Sequence, residues 1–178
     1  QKQFNSYALF MTTNPAVIAL SYLTYTSIIL HSILTLYLVL RSRSARSVRY
    51  QVSSGSSNSS WASKNMAFLG TMLLIFLIIH LRSFWYEMHF GDIGLDKWGN
   101  KDLYTVTVSA FQNTLYTAFY VLSMLMLSFH LSHGVSSAFQ TLGLSTSKYE
   151  KTINFVGKSI AVLIPLIFAS IPITLYVR

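Results

Sequence analysis

Four long apolar runs divide the sequence, at residues 15–40, 66–86, 113–139 and 153–177. A helix needs about 20 apolar residues to cross the hydrocarbon core of a bilayer, and each run meets this length. Asn14 and Pro15 stand where a helix cap and a first helical residue belong. Pro165 and Pro172 interrupt the last run, which membrane helices tolerate because neighbouring groups satisfy the freed carbonyls. The pattern predicts an all-α transmembrane helical bundle of four spans, in a single membrane domain covering residues 1–178.

The composition supports a membrane protein and excludes several other classes. Hydrophobic residues make up 52% of the chain and charged residues only 10%, where a soluble domain carries about 25% charge. The net charge is +8, but the basic residues lie mostly between the apolar runs, which argues against a nucleic-acid partner. The chain has no cysteine, which excludes disulfides, thiolate zinc sites, cysteine-held iron–sulfur clusters and covalently attached haem c. Any cofactor must therefore be held by His, Met, Tyr or carboxylate.

The connections between the runs differ in charge, and this predicts the orientation. Residues 41–65 contain no acid, whereas residues 87–112 hold four of the five acidic residues. Lys and Arg are enriched in cytoplasmic loops, so the basic loop is predicted to be cytoplasmic and the acidic loop to lie outside. The basic residues of 41–65 are Arg41, Arg43, Arg46, Arg49 and Lys64. Topology explains most of them, and the others could pair with acidic groups of a partner or cofactor.

Three of the five histidines, His31, His80 and His130, lie inside predicted spans. An ionisable residue inside a membrane marks a functional site by default, and neutral imidazole is a common ligand of haem iron. One such histidine would more often be a hydrogen-bonding core residue, but three on different helices favour a cofactor. His31 lies nine residues before Leu40 and His130 nine before Phe139, which places both about 13 Å from the cytoplasmic ends of their spans. They could ligate one haem b iron from opposite faces, whereas His80 lies nearer the outside without a partner at its depth.

Small residues accompany two of these histidines on their helix faces. Small side chains let a flat macrocycle approach a helix, and they equally suit close packing between helices. Near His130 these faces carry Met126, Gly134, Ser123 and Ser137, and near His31 they carry Thr24, Ser27 and Thr35. His133, one turn from His130, either contacts the same haem or forms a hydrogen bond near the interface. His89, in the acidic loop, is expected to be a solvated residue.

Several stretches resemble one family. "FHLSHGVSSAFQTLG" is similar to the fourth-helix motif of the diheme cytochrome b subunit of bacterial succinate dehydrogenases and fumarate reductases, with His130 as ligand and Gly134 four residues later. "IILHSILTLYLVLRSRSAR" resembles the second helix with His31 as ligand, although Thr35 stands where several members have Gly. "GTMLLIFLIIHLRSFW" resembles the third helix with His80 as ligand. "FNSYALFMTTNP" looks like the outer loop between the first two helices. The similarity covers essentially the whole chain.

The resemblance implies a five-helix fold of which this chain supplies helices two to five. The first family helix carries the ligand that pairs with the equivalent of His80, so we expect the sequence to lack an N-terminal segment of the complete subunit. Two haems b are then expected, an inner one on His31 and His130 and an outer one on His80. His133, Gly134, Arg46 and Arg49 are expected haem contacts, the two arginines through the propionates.

The resemblance also implies the function of a membrane anchor of complex II. Such an anchor passes electrons between an iron–sulfur subunit and a membrane quinone, usually menaquinone in this subfamily. A flavoprotein subunit with covalent FAD carries the dicarboxylate chemistry, so no catalytic residue is expected in this chain. Membrane lipid is a further partner, and a higher oligomer of the complex is compatible with the sequence. The expected location is the bacterial cytoplasmic membrane, with the soluble subunits on the cytoplasmic side.

Two other functions fit parts of the sequence. The first is a His-ligated cytochrome b that serves another quinone oxidoreductase or a ferric reductase. It would share the haem spectrum but lack reduction by succinate. The second is a transporter without haem, in which intramembrane histidines relay protons. The prolines of the last span suit a transporter, but no predicted span carries the Asp or Glu that a proton path usually uses.

Overall fold

The computed structural model describes residues 1–45, 61–144, 146 and 148–178. The described residues are almost entirely helical, and their only strand-like pairing is an isolated bridge between Leu95 and Lys101. A π-helical turn, Leu81–Trp85, joins α4 to α5 without a break in the helix. The helices are α1 Lys2–Thr13, α2 Pro15–Ser44, α3 Trp61–Lys64, α4 Met66–His80, α5 Tyr86–Phe90, α6 Leu103–Phe111, α7 Thr114–Thr141 and α8 Glu150–Val177.

The predicted all-α fold with four long apolar helices is confirmed. Four helices are long and apolar enough to cross a membrane: Pro15–Ser44, Met66–Phe90, Thr114–Thr141 and Glu150–Val177. The chain is therefore a multi-pass membrane protein. The predicted cap of α2 is also confirmed, because the Asn14 side chain accepts hydrogen bonds from the backbone N–H groups of Ala16 and Val17, and Pro15 is the first helical residue.

The closest helix pair is formed by α7 and α8. The buried residues of α8 are Gly157, Ala161, Pro165 and Pro172, which recur at helical spacing along one side. A side-chain carbon added at Gly157 would lie 3.2 Å from Val135 of α7. Small residues at this spacing let two membrane helices approach closely and gain dispersion contacts without a hydrophobic driving force from water.

The register between α4 and α7 creates two levels in the bundle. Gly70 of α4 lies opposite His130, and ten residues further along α4 His80 lies opposite Tyr120. Since ten residues of helix rise about 15 Å, these two pairs are far apart along the bundle. We call them the His130 level (His31, Gly70 and His130) and the His80 level (His80, Tyr116 and Tyr120).

The end of the bundle that carries residues 91–113, here called the acidic end, is organised by a buried amide. Asn5 of α1 is fully buried, and its Nδ2 donates to Asp96 at 3.0 Å and to Asp102 at 2.9 Å. Its Oδ1 accepts from the backbone N–H of Tyr104 at 2.9 Å. The expectation of a plain loop over residues 4–14 is wrong, because α1 occupies it. Likewise α5 and α6 lie within the predicted acidic loop 87–112.

Helix α2 is packed far less than the other spans. None of its residues is buried, whereas α4, α7 and α8 each bury part of one face. Its ring contacts to the rest of the chain are Tyr25 with Trp85, at 6.2 Å between centroids, and His31 with His130. The span with one of the predicted ligands is thus held to the described bundle by few contacts.

Candidate functional site

The His130 level brings together two of the predicted ligands. His31 of α2 and His130 of α7 face each other, with ring centroids 6.3 Å apart and ring planes at 81°. The two helices run in the same direction, and each histidine lies well inside its span. Equal depth, which the sequence predicted by counting residues, is therefore matched by the position of the two rings.

The His130 imidazole is buried on one side and open on another. Its Nδ1 atom is buried and has no hydrogen-bond partner among the described residues. The backbone of α4 lies against the ring at Gly70, since a side-chain carbon added there would make an ordinary van der Waals contact, 3.7 Å from Cε1 of His130. In contrast, a carbon added at Gly134 would meet no described atom within 4 Å. Gly134, one turn from His130, thus faces open space and not a neighbouring helix.

The remaining polar residues near the His130 level are satisfied by their own helices. The His133 ring lies 3.2 Å, through Nε2, from the hydroxyl of Ser137 one turn along α7. The Thr35 hydroxyl donates to the backbone carbonyl of His31 at 2.7 Å. Among the described residues, Nδ1 of His130 is therefore the buried side-chain nitrogen or oxygen atom that has no hydrogen-bond partner. Arg46 and Arg49, the predicted contacts of haem propionates, lie outside the described residues.

The His80 level has a different chemistry. Nδ1 of His80 lies 3.3 Å from the hydroxyl of Tyr120, which lies 3.0 Å from the hydroxyl of Tyr116. Phenylalanine rings surround the imidazole, with Phe76 at 5.7 Å and Phe84 at 5.5 Å between centroids. In the described part of the chain, the ring contacts of His80 are with Phe76, Phe84 and Tyr120, and none is with a histidine.

An open cleft of about 620 Å³ adjoins the His80 level. Its wall includes Tyr116, so the hydrogen-bonded pair of tyrosines reaches from the cleft to His80. The cleft is lined by Ile79, Ser83, Ser109, Ala110, Asn113, Leu115, Tyr116 and Phe119. Hydroxyl and amide groups on an otherwise apolar wall suit a ligand with an apolar body and a few carbonyl oxygens.

The helix after His80 carries a polar and aromatic patch at its acidic end. Arg82, in the π-helical turn, forms an ion pair with Glu87 and lies over the ring of Tyr86, 4.4 Å from its centroid. His89 is helical and not in a loop as expected. Its ring stacks on Trp85 at 4.3 Å, and its Nδ1 lies 2.8 Å from the Trp85 carbonyl. His89 therefore belongs to this surface patch and lies apart from both levels.

Hydrogen bonds at the acidic end stabilise two carboxylates. Desolvation raises the pKa of Asp96, but bonds from the Asn5 amide and the backbone N–H groups of Asn100 and Trp98 outweigh it and leave the pKa below its usual range. For Asp102 desolvation likewise raises the pKa, but hydrogen bonds from Asn5 and Thr105 outweigh it and leave the pKa below its usual range. Both carboxylates are thus stabilised in their charged form, in which they accept the hydrogen bonds of Asn5 and hold α1 in place.

Sequence reasoning did not find Gly70 and Tyr120, which contact the two predicted ligands. One signal was present in the sequence: Gly70 precedes His80 by ten residues, and Tyr120 precedes His130 by ten. Because α4 and α7 are antiparallel, the equal spacing brings Gly70 opposite His130 and His80 opposite Tyr120. Without that register the spacing has no meaning.

The described residues contain no group of three or more His, Asp or Glu side chains placed to hold a metal ion. Two facing imidazoles are the largest set of histidine ligands that they bring together. Comparison of the chain with family models, with curated proteins and with solved structures found no match.

Proposed function

We propose that this chain is the haem b-carrying membrane anchor of a succinate dehydrogenase or fumarate reductase, which transfers electrons between an iron–sulfur subunit and a membrane quinone. The observation that carries the proposal is the facing pair of imidazoles, His31 and His130, inside two spans. The order and spacing of the three histidine motifs connect this pair to the complex II family in particular.

The distance between the two rings fits two axial ligands of one metal. A metal–imidazole bond is about 2.0–2.1 Å, and a ring nitrogen lies about 1.1 Å from its centroid, so two imidazoles on opposite sides of a metal have centroids about 6.2–6.4 Å apart. The observed separation is 6.3 Å. Edge-to-face contact between two rings spans centroid separations of about 4.5–7 Å, so the distance agrees with a shared metal and with direct packing alike. No hydrogen bond joins the two rings among the described contacts.

The surroundings of His130 also fit a flat ligand. The buried Nδ1 atom of His130 has no hydrogen bond among the described residues, which costs about 1–3 kcal/mol for a polar group. A metal bound at Nε2 would leave this atom unpaired, so the support for a flat ligand comes from the space beside the ring. The open space at Gly134 argues against helix packing as the reason for the small residue there. The contrast with Gly157, which does contact a neighbouring helix, supports that reading.

In this proposal the residues of the chain hold and orient the cofactor. His31 and His130 would hold the inner haem b through their imidazoles, and His80 would hold the outer haem. When bound, a haem with two histidine ligands supplies one-electron transfer and not oxygen binding. The protein contributes position, exclusion of water and local electrostatics. His133, Gly134, Arg46 and Arg49 remain proposed contacts of the inner haem.

The quinone is proposed to enter the cleft beside the His80 level. Ser83, Ser109 and Asn113 line it with groups that can donate hydrogen bonds to quinone carbonyls. The soluble flavoprotein and iron–sulfur subunits are proposed to bind the basic end, near the cytoplasmic surface of a bacterial membrane. Lys64 and the last turn of α2, with Arg41 and Arg43, provide positive charge there.

The test is a pyridine haemochrome spectrum of the purified protein, scaled to protein concentration. We expect haem b in the wild type and the loss of one haem per chain in His31→Ala. His89→Ala is the matched control, because His89 is bonded and stacked within its own helix, and it should keep the full haem content. A wild-type protein without haem contradicts the proposal and favours the transporter.

A second measurement separates the two kinds of cytochrome b. In membranes that contain the assembled complex, succinate should reduce the haem, and the reduction should require the flavoprotein subunit. Haem that is present but is not reduced by succinate would favour an anchor for a different quinone oxidoreductase or a ferric reductase.

A further inference from the structure

The hydroxyl of Tyr120 is enclosed in the bundle and has two polar neighbours. The side chain is only 5% exposed, and its hydroxyl lies 3.3 Å from Nδ1 of His80 and 3.0 Å from the hydroxyl of Tyr116. A buried phenol normally has a hydrogen-bond partner. Tyr120 has partners on two sides, one of which is a predicted ligand on another helix.

The ring of Tyr120 is held as firmly as its hydroxyl. It contacts Phe111 at 4.9 Å, Phe76 at 5.0 Å and Tyr116 at 4.8 Å between centroids. Edge-to-face and tilted contacts of this kind fix an aromatic ring in one orientation. The hydroxyl is therefore presented to His80 from a rigid position.

The two nitrogens of His80 differ in their surroundings. Nδ1 contacts Tyr120, and in the described part of the chain the imidazole makes no other hydrogen bond. When Nδ1–H donates to an oxygen, Nε2 carries the lone pair and can bind a metal. Histidine ligands usually donate their second N–H to a carboxylate, carbonyl or water, which fixes the ring and raises its basicity.

We propose that Tyr120 is a positioning residue for His80: its hydroxyl accepts a hydrogen bond from Nδ1–H, which holds the ring and leaves Nε2 as the nitrogen that would bind the outer haem iron. The inference rests on the proposed function, since it requires haem. The Tyr120 hydroxyl in turn donates to the Tyr116 hydroxyl on the wall of the cleft, which makes the Tyr120 oxygen a better acceptor. A ligand in the cleft is thereby connected to His80 through two hydroxyls.

The physical consequence concerns the reduction potential of the outer haem. A hydrogen bond from Nδ1–H makes the imidazole a stronger electron donor, which stabilises ferric over ferrous iron. Removal of the acceptor hydroxyl should therefore raise the midpoint potential of that haem. The inner haem, about 15 Å away along the helix axis, should keep its potential.

The experiment is a redox titration of the purified complex, followed by the haem absorption bands and by the low-temperature EPR signals of the ferric haems. Tyr120→Phe should raise one midpoint potential and shift one EPR signal, with the other haem unchanged. Tyr116→Phe should shift the same haem in the same direction by less. Tyr22→Phe is the control, because this span tyrosine is 67% exposed and has no hydrogen bond among the described residues.

The outcomes separate this inference from the proposed function. A wild type without haem overturns both. A wild type with one haem, lost in His31→Ala and unaffected by Tyr120→Phe, overturns the role of Tyr120 and leaves the proposed function standing. Equal shifts in Tyr120→Phe and Tyr22→Phe also overturn it. If Tyr120→Phe does not fold, Tyr116→Phe decides, and unchanged potentials in that variant contradict the inference.

Discussion

The His130 level and the His80 level lie on the same pair of helices, but their imidazoles have opposite surroundings. His130 has a buried Nδ1 atom without a hydrogen-bond partner among the described residues, and its helix faces open space at Gly134. His80 contacts the hydroxyl of Tyr120 and lies between phenylalanine rings. One site is incomplete and faces a second histidine, whereas the other already has a polar neighbour.

The difference shows that, among the described residues, the bundle supplies a hydrogen-bond partner to one histidine and not to the other. A polar group in an apolar bundle is normally satisfied, because leaving it without a partner loses free energy. At the His80 level the Tyr120 hydroxyl is the hydrogen-bond partner of Nδ1, and Nε2 of His80 has no hydrogen bond among the described residues. At the His130 level the ring of His31 lies edge-on to that of His130, with 6.3 Å between centroids, and no hydrogen bond joins the two rings among the described contacts.

The largest effect is expected from removing both histidines of the His130 level. If His31 and His130 hold one haem, His31→Ala, His130→Ala and the double variant should each lose the same single haem, because residues that hold one group act as a unit. Haem content per chain measures this directly. His80→Ala should leave that haem in place. A double variant that loses more haem than either single variant would show that the two histidines serve different sites.

Replacement of Gly134 in α7 and of Gly157 in α8 by leucine should have different effects on the stability of the protein. Gly157→Leu places side-chain atoms against Val135, already 3.2 Å from the first added carbon, and should destabilise the α7–α8 pair by about 1–3 kcal/mol. Gly134→Leu meets no described atom near the backbone, so it should change the free energy of unfolding by less than about 0.5 kcal/mol.

The same two variants should also differ in haem content, with the larger effect now in Gly134→Leu. Gly134→Leu fills the space beside His130 and should lower the haem per chain, while Gly157→Leu should keep it in the folded fraction. Unfolding in detergent and haem content, measured on the same samples, test both expectations. Loss of stability in Gly134→Leu without loss of haem would contradict the view that this face is reserved for a ligand.

A smaller effect is expected at the acidic end, where polar contacts are complete. Asn5→Leu removes donors to two carboxylates, and hydrogen bonds to charged groups contribute about 1.5–3 kcal/mol each. Hydrogen exchange of the backbone should rise in α1 and stay unchanged in α7. Gln3→Ala, at an exposed position of the same helix, is the control. Unchanged exchange in Asn5→Leu would mean that α1 is held by other contacts.

The smallest effect is a pH dependence of the same contact. The pKa of Asp96 and that of Asp102 are lowered in the folded protein, so their stabilisation is complete above the ordinary carboxyl pKa of about 3.9. It is lost as the pH falls from there through the lower folded values. Fluorescence of Trp98, isolated by Trp61→Phe and Trp85→Phe, should report the change because Lys2 lies over its ring. In Asn5→Leu the transition should move toward the ordinary carboxyl range.

Much of the fold could be predicted because the membrane constrains it. The starts at Pro15 and Met66 were predicted to the residue. The third run was predicted to begin at Asn113, which the structure shows as the cap of α7. The helices extend further at their other ends, to Ser44 and Phe90, since hydropathy reports the lipid core and not the end of hydrogen bonding. Helices α1 and α6 were missed because tertiary contacts such as those of Asn5 stabilise them.

The candidate site could be predicted in part for a similar reason. Counting residues placed His31 and His130 at one depth, since helix rise is fixed. The partners Gly70 and Tyr120 depend on the register between α4 and α7, which side-chain packing decides and local sequence does not encode. The π-helical turn after His80 had no signal in the pattern of apolar residues.

If the chain holds haem as proposed, the sparse contacts of α2 have a consequence for how that haem enters the protein. Because α2 has no buried residue, it can move away without breaking a packed core, while α7 and α8 remain a fixed wall. Loading would then proceed sideways through the bilayer-facing gap, with no need to unfold the bundle. The chain has no cysteine, so an engineered disulfide can test this. A bond between α2 and α7 formed before haem is supplied should block uptake, and one between α7 and α8 should permit it.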